Sequence, residues 1–188
     1  MKTLLVITGP TGVGKTELCL TIAKHLHSPI LNADSRQIFA ELPIGTCAPT
    51  AEQQAVVKHY FVGNHHLHDY YSAAKFEQDA LLLLTKLFDG SEDGTAHNTI
   101  IMSGGSMMYI DAVCKGIDDI PTVDDNTRQM MKQRLANEGL EALVNELKHL
   151  DAEHWKIVDR NNPRRVVHAL EICHMTGKPY SSFRTNSI

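Results

Sequence analysis

Short apolar runs alternate with longer amphipathic segments along the first two thirds of the chain. The runs "KTLLVIT", "SPILNAD" and "TIIMSGG" are short and mostly apolar, which is typical of buried strands. The segments "GKTELCLTIAKHL", "SAAKFEQDALLLLTKLF" and "SMMYIDAVCKG" are helical in pattern, and Ser72 is a suitable N-cap for the second. Strands that alternate with helices predict an α/β fold with a parallel sheet and crossover helices.

The pattern changes after "DDIPTVDD". Between Asn126 and Gly177, the segments "DNTRQMMKQRLANEG", "LEALVNELKHLD" and "NPRRVVHALEICHMTG" are helical in pattern, and each ends at a glycine or a polar break. No convincing strand occurs among them. We therefore predict an α/β domain over residues 1–120 and a small, mostly helical domain over residues 121–188.

Composition excludes some classes of protein. Of the 188 residues, 43% are hydrophobic and 21% are charged, which is ordinary for a soluble globular protein. No stretch is long enough for a transmembrane helix, and the first apolar run is too short for a signal peptide. The four cysteines lie far apart without CxxC spacing, so we expect reduced thiols in a cytoplasmic protein. Residues 1–120 hold 8 Lys and Arg against 13 Asp and Glu, whereas residues 121–188 hold 10 against 9.

A glycine-rich stretch follows the first predicted strand and leads into the first helix. It fits the pattern G-x-x-x-x-G-K-[ST], in which backbone N–H groups and a helix N-terminus cradle phosphate oxygens. The Lys15 ammonium would reach the outer phosphate, and the Thr16 hydroxyl is suited to bind Mg²⁺. We predict a diphosphate or nucleotide site over the whole motif: Gly9, Pro10, Thr11, Gly12, Val13, Gly14, Lys15 and Thr16.

Asp34 ends the second predicted strand, and ligands of parallel sheets bind at the carboxyl ends of strands. A carboxylate there can act as a general base on an acceptor bound beside the phosphates. A purely structural role is also open, in which Asp34 caps the short helix that follows. A kinase for a small molecule or nucleoside would use an Asp at this position too. The strand "TIIMSGGS" ends without the carboxylate with which P-loop hydrolases organise Mg²⁺, and this disfavours a standard nucleotide hydrolase.

Six blocks of sequence together resemble the tRNA dimethylallyltransferase family, also called isopentenyl-tRNA transferases. The resemblance implies a P-loop NTPase-like parallel sheet flanked by helices, with a small all-helical inserted domain. It further implies transfer of the dimethylallyl group from dimethylallyl diphosphate to N6 of the adenosine 3′-adjacent to the anticodon of tRNA, with release of diphosphate. Mg²⁺ is the implied cofactor, and a cytoplasmic monomer is expected. The blocks are "ITGPTGVGKTEL", "NADSRQIF", "IGTCAPT", "HHLHDYYSAAKFEQDA", "SGGSMMYIDAVCKGIDDIP" and "NNPRRVVHALEICHMTGKPYSSF".

The resemblance also implies roles for individual residues. Asp34 matches the general base, and Lys15 and Ser106 match further catalytic positions, with Ser106 standing where the family usually has Thr. His168 replaces the family's usual Arg, which removes a permanent charge. The implied tRNA contacts are Asp34, Ser35, Arg36, Gln37, Arg128, Arg164, Arg165 and His168.

Family sequences continue well beyond "TGKPYSSF", so we expect this chain to lack the C-terminal part of the core and to be prone to self-association. Two other interpretations stay open. One is a P-loop nucleoside or small-molecule kinase, which tight ATP binding would indicate. The other is a folded but inactive RNA- or nucleotide-binding module. The histidines of "NHHLHDYY" could hold a metal ion, although packing and polar contacts are the commoner role in such a loop.

Overall fold

The computed structural model describes residues 1–10, 12–118 and 120–184. The chain forms two compact units, Met1–Ile117 and Asp118–Ile188. The boundary between them in the sequence lies a few residues before Pro121. Across the described ranges, no helix has the length and apolar character needed to cross a membrane.

The first unit is built on a parallel sheet of four strands. The strand order is β1-β4-β2-β3, and every pairing is parallel, which confirms the α/β prediction. β3 is only two residues long, and the sequence pattern does not predict it. The strands are β1 (Thr3–Thr8), β2 (Ile30–Asn32), β3 (His59–Tyr60) and β4 (Thr99–Gly104).

Helices cover both faces of this sheet. They are α1 (Lys15–Leu26), α2 (Ala51–Val56), α3 (Ala73–Asp89) and α4 (Met107–Lys115). The predicted N-cap of α3 is confirmed, because Ser72 Oγ accepts a hydrogen bond from the Lys75 amide at 3.3 Å.

Consecutive residues of a strand pack into two different hydrophobic clusters, one on each face of the sheet. On β4, Ile100 faces α3 and α4 and joins a cluster with Phe76, whereas Ile101 faces α1 and joins a cluster with Ala23. Successive side chains of a strand point to opposite faces, so a sheet buried on both faces reads as a continuous apolar run. This explains why "TIIMSGG" lacks the alternation of a half-exposed strand.

The second unit is helical as far as it is described. Its helices are α5 (Asp125–Leu150), α6 (Ala152–Ile157) and α7 (Pro163–Thr176), followed by a 3₁₀ turn at Tyr180–Phe183. α5 breaks at Gly139, whose φ of 79° and ψ of 167° are almost confined to glycine. The predicted break after "LANEG" is therefore confirmed.

A charged network joins the two halves of α5 to α7. Arg134 Nε lies 2.7 Å from Glu138 Oε1, and Arg134 Nη2 lies 2.8 Å from Glu146 Oε2, beyond the break. Glu146 Oε1 in turn lies 2.7 Å from His174 Nε2 on α7. Three elements are thereby tied beside a core that contains Met131, Leu143, Leu147, Val166 and Leu170.

Candidate active site

The glycine-rich motif forms the loop between β1 and α1. Gly12 and Gly14 both have φ near 86°, a left-handed conformation that glycine adopts without steric cost, and Gly14 is the N-cap of α1. The N-terminus of α1 therefore opens directly into the loop, where its amides and dipole favour an anion. Thr11, also predicted to bind the phosphates, lies outside the described residues.

Lys15 folds back over this loop. Its Nζ donates a hydrogen bond to the Pro10 carbonyl at 2.6 Å, so the ammonium is held beside the turn. Lys15 and Thr16 are half-buried, whereas Val13 at the loop's tip is exposed. The positive charge and the hydroxyl thus lie at the mouth of the helix, as a phosphate cradle requires.

A cavity of about 260 Å³ opens beside the cradle. The loop, the start of α1, the ends of β2 and β4, and the segment around Cys47 contribute to its wall. Among the predicted residues, Lys15, Thr16, Asp34 and Gln37 line this one cavity. The structure thus brings the predicted phosphate-binding and acceptor-binding residues together.

The two oxygens of Asp34 have different surroundings. Oδ1 accepts hydrogen bonds from the amides of Arg36 at 2.9 Å and Gln37 at 3.3 Å, so the capping role exists. Oδ2 has no hydrogen-bond partner among the described residues and lies 3.8 Å from the position that a Cβ on Gly105 would take. One oxygen fixes the carboxylate while the other remains accessible to a substrate.

Ser106 connects the loops that follow β2 and β4. Its Oγ accepts from the Ser35 amide at 2.8 Å and donates to Ser35 Oγ at 3.0 Å. Just before it, a Cβ on Gly104 would lie 2.1 Å from the Ala33 carbonyl oxygen, so only glycine fits there. Of the other predicted contacts on this loop, Arg36 is exposed.

The cavity is also lined by residues that sequence reasoning did not select, among them the polar or ionisable side chains of Cys19, Asn32, His59 and Ser103. Burial lowers the pKa of His59, against the opposite effect of its hydrogen bond to the Val57 carbonyl. Burial raises the pKa of the Cys19 thiol, against the effects of its hydrogen bond to Ser103 and of the Lys15 charge. A sequence signal for Asn32 did exist, because it lies two positions before Asp34 in the predicted strand "SPILNAD" and would therefore share a face with it.

The remaining predicted tRNA contacts lie in the second unit. Arg164 and Arg165 are exposed in the first turn of α7, where Asn162 Oδ1 accepts from both of their amides, at 3.1 and 3.4 Å. His168 follows on α7, with Nδ1 3.4 Å from Glu171 Oε2. On α5, Arg128 Nη2 donates to the Val123 carbonyl at 3.4 Å.

The histidines of "NHHLHDYY" make separate polar contacts. His66 Nδ1 lies 2.8 Å from Glu41 Oε1, whereas His65 and His68 lie 3.7 and 3.4 Å from carboxylate oxygens of Asp69. Within the described ranges, no three His, Cys, Asp or Glu side chains are grouped so that they could hold a metal ion.

The sheet is parallel, and its first strand leads through a glycine-rich loop into a helix that begins Lys-Thr. These features define a P-loop-like α/β fold. The sequence profile described as "IPP transferase" matches residues 37–187. The chain belongs to this family.

The names of similar proteins agree with this family. The chain is 60% identical to tRNA dimethylallyltransferase 1 of Phocaeicola vulgatus, over 98% of this chain and 60% of that protein. It is 30% identical to the solved tRNA isopentenylpyrophosphate transferase of Bacillus halodurans, with a TM-score of 0.57 over 96% of this chain and 58% of the other. A eukaryotic dimethylallyltransferase acting on tRNA, 22% identical with a TM-score of 0.73 over 97% and 44% of the two chains, shares the fold. The chain thus spans about 60% of the length of the curated relatives that it matches.

Proposed function

We propose that this chain carries the catalytic site of a tRNA dimethylallyltransferase. The reaction moves the dimethylallyl group from dimethylallyl diphosphate to N6 of the adenosine 3′-adjacent to the anticodon, in cytoplasmic tRNA. The observation that carries the proposal is that the phosphate cradle and the accessible Oδ2 of Asp34 belong to one cavity. The names of the relatives support the same assignment.

The chemistry requires a leaving-group site and a base. The bond between the prenyl C1 and the diphosphate oxygen breaks, and a bond from C1 to N6 forms. Negative charge grows on the departing diphosphate, where the α1 N-terminus, the loop amides and Lys15 would stabilise it. The proton leaves N6 for Asp34 Oδ2, and the hydrogen bonds to Oδ1 would hold the carboxylate in position.

The donor set also suits Mg²⁺. The Thr16 hydroxyl lines the cavity at the start of α1 and would be a protein ligand of this ion, with substrate phosphates and water as further ligands. When bound there, Mg²⁺ would add positive charge next to the leaving diphosphate.

RNA contacts would come from both units. Ser35, Arg36 and Gln37 follow Asp34 and would hold the acceptor nucleotide. In the second unit, Arg128, Arg164, Arg165 and His168 would contact the tRNA backbone, where exposed guanidinium groups suit phosphate recognition.

Calorimetric titration with dimethylallyl diphosphate and with ATP, each with Mg²⁺, tests the cradle's ligand. We expect the chain to prefer the prenyl diphosphate and Lys15→Ala to lose it. Preference for ATP would instead support a P-loop kinase, the alternative that shares the cradle and Asp34.

A variant of Asp34 tests the chemistry separately from binding. Asp34→Asn keeps an oxygen that can cap the Arg36 and Gln37 amides but cannot take a proton. We expect it to bind dimethylallyl diphosphate like the parent and to lose prenyl transfer to an anticodon stem-loop RNA. Transfer at the parent rate would contradict the assignment of Asp34 as the base.

A further inference from the structure

Two histidine rings stand on the surface of the loop that precedes α3. The side chains of His66 and His68 are 62% and 83% exposed. Their rings are parallel, with an interplanar angle of 3° and 5.6 Å between the ring centroids. His65 differs, because only 25% of its side chain is exposed and its ring centroid lies 4.1 Å from that of Tyr71. The loop thus turns two histidine rings outward, and we call His66 and His68 the histidine pair.

Hydrogen bonds fix this loop against the predicted acceptor-binding segment. The Gly63 amide donates to the Gln37 carbonyl at 2.9 Å, and the His65 amide donates to the Ile38 carbonyl at 3.0 Å. Gln37 is also part of the cavity wall. His66 lies three residues beyond Gly63, so their Cα atoms are at most about 11 Å apart. The histidine pair therefore stands close to the segment that would hold the acceptor nucleotide.

The charges around the histidine pair compensate one another. His66 Nδ1 lies 2.8 Å from Glu41 Oε1, and this hydrogen bond raises the pKa of His66 and lowers that of Glu41. His68 Nε2 lies 3.4 Å from Asp69 Oδ1. Each ring thus has a carboxylate beside it, which disfavours contact with an RNA phosphate. What the pair offers a ligand is the exposed surface of its rings.

A flat, exposed ring surface suits a nucleobase. Unpaired RNA bases are commonly recognised by stacking on aromatic side chains, histidine included. We propose that the histidine pair stacks on a base of the anticodon loop next to the acceptor adenosine. This rests on the proposed function, because that adenosine must lie at Asp34 for its neighbours to reach the pair. The contact with Glu41 holds the His66 ring, and the more exposed His68 ring receives the base.

Two variants of His68 separate stacking from charge. His68→Ala should weaken binding to an anticodon stem-loop RNA about tenfold, the order of one lost contact between a base and a ring. His68→Phe keeps a ring and should bind like the parent. His25→Ala, the matched control, removes an exposed histidine in the last turn of α1 and should have no effect. In every variant the slope of log affinity against log salt should stay the same, because no phosphate contact is lost.

The RNA supplies the second half of the test. Two further stem-loop RNAs each lack one base, on the 5′ or on the 3′ side of the acceptor adenosine. If His68 stacks on one of these bases, His68→Ala should have no effect on the RNA that lacks it and keep its effect on the other. An equal loss of affinity on all three RNAs, or no loss on the intact one, overturns the proposed role of the histidine pair.

These outcomes are distinct from a failure of the proposed function. Calorimetry should give the parent and His68→Ala the same affinity for dimethylallyl diphosphate, which also shows that the variant is folded. A parent that binds both dimethylallyl diphosphate and RNA, with His68→Ala binding both equally well, overturns the histidine pair and leaves the proposed function intact. A parent that binds the diphosphate but no RNA overturns the pair and leaves the assignment of the cradle intact. A parent that binds ATP instead, and no RNA, overturns both proposals.

Discussion

Ser106 and Ser35 form a reciprocal pair across two loops: Ser106 Oγ accepts from the Ser35 amide at 2.8 Å and donates to Ser35 Oγ at 3.0 Å. The pair joins the start of α4 to the loop that begins with Asp34. It leaves the N-terminus of α4 without a side-chain cap, because the Ser106 hydroxyl serves the neighbouring loop instead. The position of the Asp34 carboxylate therefore depends on a hydroxyl at residue 106.

The first prediction concerns this hydroxyl. Ser106→Ala should slow prenyl transfer about tenfold, the order of one lost hydrogen bond, while binding of dimethylallyl diphosphate changes little. Ser106→Thr keeps the hydroxyl and should restore the rate. Single-turnover transfer to an anticodon stem-loop RNA, together with calorimetric affinity, measures both quantities. An alanine variant as fast as the parent would show that the pair does not position Asp34.

The second prediction concerns the close approach of β2 and β4. A Cβ on Gly104 would meet the Ala33 carbonyl oxygen at 2.1 Å, whereas a Cβ on Gly105 has its nearest atoms at 3.8 Å. Gly104→Ala should destabilise the first unit by about 3 kcal/mol, because backbone must move. Gly105→Ala, the matched control, should cost much less. Thermal unfolding by circular dichroism compares them, and equal melting temperatures would refute the contact.

The features of this fold that depend on neighbouring residues could be predicted from the sequence. The features that depend on contacts between distant residues could not. A helix cap, such as Ser72, can be recognised from the residues that follow it. The same holds for a glycine that ends or begins a helix, such as Gly139 or the glycines of the cradle. β3 is different, because its two residues show no periodicity and become a strand only by pairing with Ile30 and Leu31.

The candidate site divides in the same way. Asp34 and Lys15 stand in motifs and could be selected from sequence. The contact of Ser106 with Ser35 spans 71 positions of the chain, and His59 enters the cavity through the unpredicted strand. The orientation of the Asn32 amide depends on a carbonyl at Phe61 and has no local signal at all.

The third prediction concerns a buried carboxylate in the second unit. Asp151 accepts from the His154 amide at 2.9 Å, and from the Ser181 amide and hydroxyl at 2.6 and 2.7 Å. Burial raises the pKa of Asp151, but these hydrogen bonds outweigh it and hold the pKa below its usual value. The ionised group therefore contributes stability above the unfolded-state pKa of about 4, and this contribution is lost as the pH falls through the folded pKa.

Asp151→Asn should accordingly lower the stability of the second unit by about 2 kcal/mol at pH 7, with the difference shrinking below pH 4. Trp155 is the chain's single tryptophan and lies in α6, so its fluorescence reports on this unit. Asp159→Asn, which changes an exposed carboxylate with one amide partner, is the matched control. A deficit that stays constant from pH 7 to pH 3 would contradict the ionised state.

The last prediction concerns RNA binding by the second unit. Arg164 and Arg165 stand exposed in the first turn of α7, where positive charge opposes the helix dipole and so gives no help to the helix itself. The double change Arg164→Glu with Arg165→Glu should weaken binding to an anticodon stem-loop RNA and reduce the slope of log affinity against log salt by about two.

The matched control is the double change Lys156→Glu with Arg160→Glu, which alters the net charge by the same amount. Both of these cations already have partners: Lys156 lies 2.7 Å from Glu153, and Arg160 lies over the Trp155 ring at 4.6 Å. This control should leave the slope almost unchanged, because its cations do not contact phosphate. If both double variants reduced the slope equally, the effect would belong to net charge, and α7 would have no specific part in holding RNA.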